Sequence, residues 1–229
     1  MKLYRLNKQV LCVHNPDKLL KGLTTNTLDA TKNALTDIYG RIIVTFDQLK
    51  LSPTELLILI EAPFFEQMQT HLEKFLTLTR TKLEKTDYQV YYDLDGSYTT
   101  QQGELVIPQH RGKLVLTMHQ IPSSNLISES EFTLFRLKNT IPLQGIDYTH
   151  DLLLNVSEEF VSFTKGCFLG QEVLARVHNL SKPPKKLVVR YQDQCSEDEK
   201  KSMTSKIINP TTGRVIGFIF VKNSDEPSE

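Results

Sequence analysis

The chain has 229 residues, 27 basic and 27 acidic side chains, 39 % apolar and 24 % charged content. A formal charge of zero argues against a general nucleic-acid or membrane-surface binder, since both need a surplus of Lys and Arg. A chain of this length can bury roughly 70–75 % of its unfolded surface, so a substantial core is expected, arranged as one large domain with a small appendage. The longest apolar run, Leu56 to Ile60, is strand-sized, and Met1-Lys2-Leu3-Tyr4-Arg5 lacks the apolar stretch of a secretory leader. A cytoplasmic protein without a membrane span is therefore expected. Cysteines at 12, 167 and 195 have no framework spacing and no C-x-x-C pair, which fits a reducing compartment and predicts no stable metal.

In chain order, Val10 to Val13 reads as a strand. A short helix follows, with Asn15 as N-cap, Pro16 at its first position and Gly22 at its end. Arg41 to Phe46 and Glu55 to Glu61 read as buried strands. From Pro63 onward Phe64, Met68, Leu72 and Phe75 recur at helical spacing, which marks a core face. Thr86 to Tyr92, Glu104 to Ile107 and Lys113 to Met118 read as strands between turns at Asp95-Gly96 and Arg111-Gly112. Residues 129–138 read as a helix. The order of these elements predicts an α+β architecture with mixed sheets.

Ser181-Lys182-Pro183-Pro184 ends the next helix and marks the boundary between residues 1–182 and 183–229. Lys186 to Tyr191 and Arg214 to Val221 then read as strands joined by a polar link, with Lys222 to Glu229 as a frayed tail. Lys182, Lys185, Lys186 and Arg190 form a local basic cluster that reads as a solvated face. The six histidines are scattered, without H-E-x-x-H, and no phosphate-loop or dinucleotide fingerprint is present.

The most informative stretch is Lys165-Gly166-Cys167-Phe168-Leu169-Gly170-Gln171-Glu172. Its two glycines relieve the backbone on either side of Cys167, as expected where a chain turns sharply or is closely approached. Gln171 to Leu180 reads as a helix with Val173, Leu174 and Val177 on one face, and with Glu172 and Arg176 spaced to pair. A thiolate beside a lysine and a helix start is electrostatically favoured. The plain alternative is a small buried cysteine in a turn.

This stretch, with Ala175-Arg176 after it, resembles the K-G-C-[FY]-x-G-Q-E signature of the YgfZ family, folate-binding relatives of the glycine-cleavage aminomethyltransferase. Leu20 to Asn26 is similar to that family's L-Q-G-L-T-T-N segment, Gly40-Arg41-Ile42 to its G-R-I strand entry, and Arg136 with Ile141-Pro142 to its R…G-I-P segment. The matches run in family order over roughly residues 10 to 190. Lys21, Thr27 and Asn139 depart from the family residues, Gln109-His110-Arg111 replaces a D-x-R run, and there is no tryptophan.

The resemblance implies a three-lobed fold around a central hole that accepts a pterin, closed by a small C-terminal β-barrel-like segment. It implies tetrahydrofolate or a derivative as cofactor, with Thr25, Asn26, Phe132 and Arg136 as contacts. Lys165, Gly166, Cys167, Phe168, Gly170, Gln171, Glu172 and Arg176 form the signature, and Cys167 is its functional thiol, exposed near the hole. The implied role is assembly or repair of iron–sulfur clusters, serving enzymes such as those that thiolate tRNA, with cluster enzymes or assembly proteins as partners. A lone thiolate cannot hold a four-cysteine cluster, so any cluster must borrow other ligands. Two alternatives stay open. One is a folate-dependent aminomethyltransferase, which needs a carboxylate near the folate amine. Asp47 lies near the relevant strand, but the G-G-x-x-D-D-like run of such enzymes is absent. The other is a degenerate relative that has lost folate.

Overall fold

The structure is a computed structural model that describes residues 1–180 and 182–223. Its elements in chain order are β1 (Leu3–Leu6), β2 (Lys8–His14), α1 (Pro16–Leu20), β3 (Lys32–Thr36), β4 (Ile42–Ser52), β5 (Glu55–Glu61), α2 (Phe65–Thr79), β6 (Lys82–Lys85) and β7 (Gln89–Asp93). They continue as β8 (Leu105–Pro108), β9 (Lys113–Thr117), α3 (Glu129–Lys138), α4 (Leu153–Val156), α5 (Gln171–Leu180), β10 (Lys185–Tyr191), α6 (Glu197–Ser202), β11 (Thr204–Ile208) and β12 (Val215–Lys222).

Three sheets result, ordered β3-β4-β5-β2-β6, β1-β7-β9-β8 and β10-β12-β11. Every ladder between these strands is antiparallel, so the sheets are not of mixed direction as the sequence suggested. Part of the cause is local: four of the nine ladders, β3–β4, β4–β5, β8–β9 and β11–β12, join strands consecutive in sequence through short connections, which return the chain antiparallel.

Strand β5 explains the layering. Leu56, Ile58 and Ile60 face one way, into a core shared with Leu11, Val13, Met68 and Leu72. Leu57 and Leu59 face the other way, towards Val90, Tyr92 and Leu114 of the four-stranded sheet. Side chains alternate across a strand, so a strand covered on both faces must be apolar throughout, as this one is. Each of these buried side chains contributes about 1.5–3 kcal/mol of transfer free energy. The predicted stripe of α2 is real, since Met68 and Leu72 are fully buried beneath it. A third core joins Ala34, Ile42, Leu153, Phe168 and Leu174 to Leu187 and Phe218, so the C-terminal sheet shares its interior with α4 and α5.

Several expectations change. Asn15 sits in the left-handed region at φ 55° and its side chain caps nothing, so α1 begins on Pro16 alone. α3 instead carries a full capping box, with Ser128 accepting from Glu131 N and the Glu131 side chain reaching back to Ser128 N. The supposed polar link before β12 contains α6 and β11, making the last sheet three-stranded. Ser181 of the expected helix stop, and residues 224–229 of the expected tail, lie outside the described residues. No helix among the described residues is long and apolar enough to cross a membrane.

Candidate functional site

Two neighbouring features occupy the ground the sequence pointed to. The first is a central cavity between the five- and four-stranded sheets. It consists of a void of about 50 Å³ next to one of about 140 Å³, with Lys32, Tyr92, Gln109, Ile141, Pro142 and Phe160 in the walls of both. A buried ionic cluster forms one wall. Lys8 Nζ lies 2.7 Å from Glu61 and 3.3 Å from Asp47, Lys32 Nζ is 3.9 Å from Asp47, and Gln109 donates to Asp47 at 3.1 Å. Burial alone would push the Lys8 ammonium down, but the Glu61 and Asp47 carboxylates overcome it and hold its pKa above the ordinary lysine range. Tyr148, deeply buried beside this cluster, shares a 2.7 Å hydrogen bond with Thr45, and burial raises its pKa.

Lys8, Glu61 and Tyr148 were not legible as site residues. Lys8 and Glu61 are directly opposite across β2 and β5, a pairing that only the strand register reveals. The available signal was an opposite charge at the start of one apolar strand and the end of another.

The second feature is a groove of about 550 Å³ lined by Cys167, Gly166, Lys165, Thr27, Leu28 and the charged pairs Asp17 with Lys21, at α1, and Asp29 with Lys50, on the loop before β3 and on β4. Cys167 is a free, exposed thiol here, which settles against the buried-turn alternative. It stands in neither wall of the central cavity. The segment Thr24 to Asn33 separates the two features. Lys165 Nζ donates to Thr24 O at 2.5 Å and Asn26 O at 3.1 Å on the groove side. On the other side Asn26 Nδ2 donates to Lys32 O and Glu159 O, both at 3.1 Å. The sulfur therefore opens onto its own groove and not onto the mouth of the central hole.

Charge in the groove is arranged unevenly. Lys21 pairs with Asp17 at 2.6 Å and Lys50 with Asp29 at 2.7 Å. Lys165 meets only neutral oxygens and the Phe168 ring, and burial lowers its pKa to about 8. It is thus the lining cation, among the described residues, with no carboxylate against it. A consequence can be measured with two alkylating agents that differ in charge. The rate ratio of iodoacetate to iodoacetamide at Cys167 is expected to fall several-fold as pH rises through about 8 and the ammonium discharges. Lys165→Met should flatten that dependence; an unchanged profile in the variant would refute the assignment. For stability the sign is opposite to that of a paired lysine. The unfolded chain holds this proton up to about 10.5, so Lys165 adds stability as pH climbs from about 8 towards 10.5.

The local fold explains how the sulfur is held out. Gly170, at φ +84°, packs on the β3–β4 turn, where an added Cβ would lie 2.4 Å from the Asp37 carbonyl oxygen. Thr36 Oγ1 donates to Leu169 O at 2.7 Å across the same contact. Phe168 is buried in the third core, anchoring the residue after the cysteine. Gly166 has nothing within 4 Å of its would-be Cβ and no positive φ, so only one of the two glycines is structurally required. Helix α5 begins at Gln171, with Gln171 N donating to Phe168 O, so Cys167 lies four residues ahead of it and not at its first turn. Glu172 and Arg176 are both exposed, and no ion pair joins them. His178 stacks on Phe163 at 4.1 Å and serves packing.

The four predicted folate contacts are occupied by the protein itself. Thr25 is buried and donates to Phe160 O at 2.5 Å, holding that loop to β3. Asn26 is used on every polar atom, its Oδ1 accepting from Thr27 N. Arg136 is buried against Asp147 and lines neither void, because its guanidinium is drawn to the C-terminal sheet. Phe132 does reach the smaller void, but stacks on Tyr4 with ring centroids 4.1 Å apart. Tyr92 and Phe160 are the aromatic rings common to both voids.

The fold is that of the aminomethyltransferases. It matches glycine cleavage system aminomethyltransferase T from Bartonella henselae with a TM-score of 0.74 at 12 % identity, over 97 % of this chain and 78 % of that one. In sequence, the chain is similar to the iron-sulfur cluster assembly factor IBA57 homolog, mitochondrial, of Dictyostelium discoideum. The two are 25 % identical over 287 aligned residues, covering 94 % of this chain and 68 % of that protein. No protein-family model matches the chain.

Proposed function

We propose that this is a folate-binding accessory protein of the YgfZ type that supports assembly or repair of iron–sulfur clusters, and through them cluster-dependent enzymes such as those that modify tRNA. The observation that carries the reading is the exposed Cys167 in a groove whose unpaired cation is Lys165. A thiolate-ligated cluster is anionic, and one protein thiolate beside an ammonium suits such a group in passing while leaving its other ligands to a partner. The sequence similarity to a protein named as an iron–sulfur cluster assembly factor, over nearly the whole chain, supports it. The partners are then cluster-assembly proteins or recipient enzymes. The cytoplasmic location belongs to this proposal; the relative is named as mitochondrial, and three free cysteines suit a reducing compartment.

Folate is the ligand such a fold implies, and the central cavity fits the chemistry of a pterin. Asp47 offers a carboxylate and Gln109 an amide to its polar edge, while Tyr92 and Phe160 offer aromatic faces. Lys32 and Arg111, in the wall of the larger void, suit the carboxylates of a folate tail that extends beyond the enclosed part. The voids are small beside the ~300–1,000 Å³ of pockets that enclose a whole ligand, so the bound part is the pterin head. When bound, the folate would supply one-carbon chemistry. Asn26 and Thr25 act behind the wall, tying Lys32 and Phe160 in place.

A second reading, an aminomethyltransferase, is favoured by one observation: Asp47 does place a carboxylate in the cavity wall. Lys8, Lys32 and Gln109 already engage that carboxylate, which suits binding better than proton transfer. Tetrahydrofolate titration separates the readings, followed by heat or by tyrosine fluorescence, since the chain has eight Tyr and no Trp. Saturable binding without aminomethyl turnover is expected. Turnover would establish the transferase, and silence under reducing conditions would leave a relative without folate.

A further inference from the structure

We propose a second metal-binding site, unrelated to Cys167, in which Cys12, His14 and Glu55 hold a divalent transition-metal ion of the Zn²⁺ class, with Glu84 positioning the histidine. Cys12 and His14 are two apart on β2 and so share one face of the five-stranded sheet. The strand register sets Glu55 of β5 directly opposite His14, and Glu84 of β6 directly opposite Cys12. Each of the Cys12 sulfur, a His14 ring nitrogen and a Glu55 carboxylate oxygen lies within 4.8 Å of the other two.

The hydrogen bonds assign the roles. His14 Nε2 is 2.9 Å from Glu84 Oε2, and His14 Nδ1 is 3.6 Å from Glu55 Oε1. With Nε2–H donated to Glu84, the lone pair of Nδ1 points towards the side where Glu55 and Cys12 converge. Two acceptors facing each other repel unless a proton or a cation lies between them. The separation suits a cation: tetrahedral bonds of about 2.1 Å to N and O set those atoms about 3.4 Å apart. A carboxylate on the far ring nitrogen is also the usual device that fixes the tautomer and aim of a metal-bound imidazole.

Sulfur, imidazole and carboxylate together favour a borderline ion such as Zn²⁺ over Mg²⁺ or Ca²⁺. Three protein ligands leave the fourth position to water, which characterises sites that exchange or act, not closed structural ones. His14 and the two glutamates are partly exposed, giving the ion a way in. On binding, Cys12 loses its thiol proton to solvent, so affinity rises with pH. Lys82, which pairs with Glu84, stays with that outer carboxylate.

The test is titration of the metal-stripped full chain with Co²⁺, followed by Zn²⁺ displacement. Wild type and Cys167→Ala are both expected to develop thiolate-to-cobalt charge transfer and the intense bands of tetrahedral Co²⁺, at one ion per chain, and to lose them to Zn²⁺. Cys12→Ser should abolish the charge transfer, and Glu55→Gln should weaken binding strongly. Glu84→Gln should weaken it about 10–100-fold without changing the metal-free melting temperature. Absence of charge transfer in wild type, or its persistence in Cys12→Ser, would overturn the proposal. Should Cys12→Ser fail to fold, the partly exposed Glu55→Gln and Glu84→Gln variants decide by the same titration, unchanged affinity in both being the contrary result.

Discussion

Replacing Arg136 by Ala is expected to cost about 3–5 kcal/mol of folding stability, the range for removing one partner of a buried ion pair. The pair is nearly solvent-free: Arg136 NH1 lies 2.6 Å from Asp147 Oδ2, with side chains 3 % and 0 % exposed. Asp147 also accepts from Leu143 N at 2.9 Å, Thr204 Oγ1 at 2.8 Å and Ser205 Oγ at 2.6 Å. Arg136 NH2 donates to the same Ser205. One carboxylate therefore ties α3, the loop after it and β11 together, and without the guanidinium its charge is left buried. Ser205 reaches this position through a left-handed residue, φ 50°, at an irregularity in the β11–β12 register. Denaturant unfolding of Arg136→Ala checks the figure, and a loss below about 1 kcal/mol would contradict it. The paired change Arg136→Met with Asp147→Leu should recover much of the loss, because apolar replacements leave no orphaned charge.

Gly170→Ala is expected to destabilise by about 2–4 kcal/mol, from left-handed strain together with overpacking. The obstructing atoms belong mainly to backbone, Asp37 O and Gly40 N, so the contact cannot relax by a rotamer change. Gly166→Ala, at the residue immediately before Cys167, has open space and should stay within about 0.5 kcal/mol. Equal losses at the two positions, read from the same unfolding curves, would show that the turn is not pinned where the structure pins it.

Helices α2 and α5 were legible in the sequence because their apolar residues recur at helical spacing, and strand β5 because it is a strand-sized continuous apolar run. β3 was hidden by Asn33, a fully buried residue whose side chain bonds Asn26, Thr27, Ala34 and Gln48 within its own layer. Polar residues satisfied in this way look like loop until the partners are known. β6 reads Lys-Leu-Glu-Lys and is an edge strand, where charge is normal and apolar alternation is weak. β11 reads Thr-Ser-Lys-Ile-Ile, with no fully buried residue and a register irregularity between Thr204 and Ile207, so it shows no apolar alternation. For Asn15 the general preference of Asn for helix caps pointed to the wrong one of its two habits, since it also tolerates the left-handed region used here.

The site divides in the same way. The Lys165 to Glu172 stretch announced itself because glycines, a lysine and a cysteine are uncommon together, and the structure does hold its thiol in solvent. The Lys8, Asp47 and Glu61 wall depends on three strands meeting, and no local pattern encodes it. Arg136 illustrates the limit of a motif: its position was legible, while its use by Asp147 depended on a loop and a strand up to 69 residues away.

The most direct test of the account concerns Cys167. In cells lacking this chain, wild type and Cys167→Ala are expressed at equal level, and the activity of iron–sulfur enzymes is measured. Cys167→Ala is expected to fold and melt like wild type, because the thiol is exposed, yet to restore no activity. Full restoration by Cys167→Ala would contradict it.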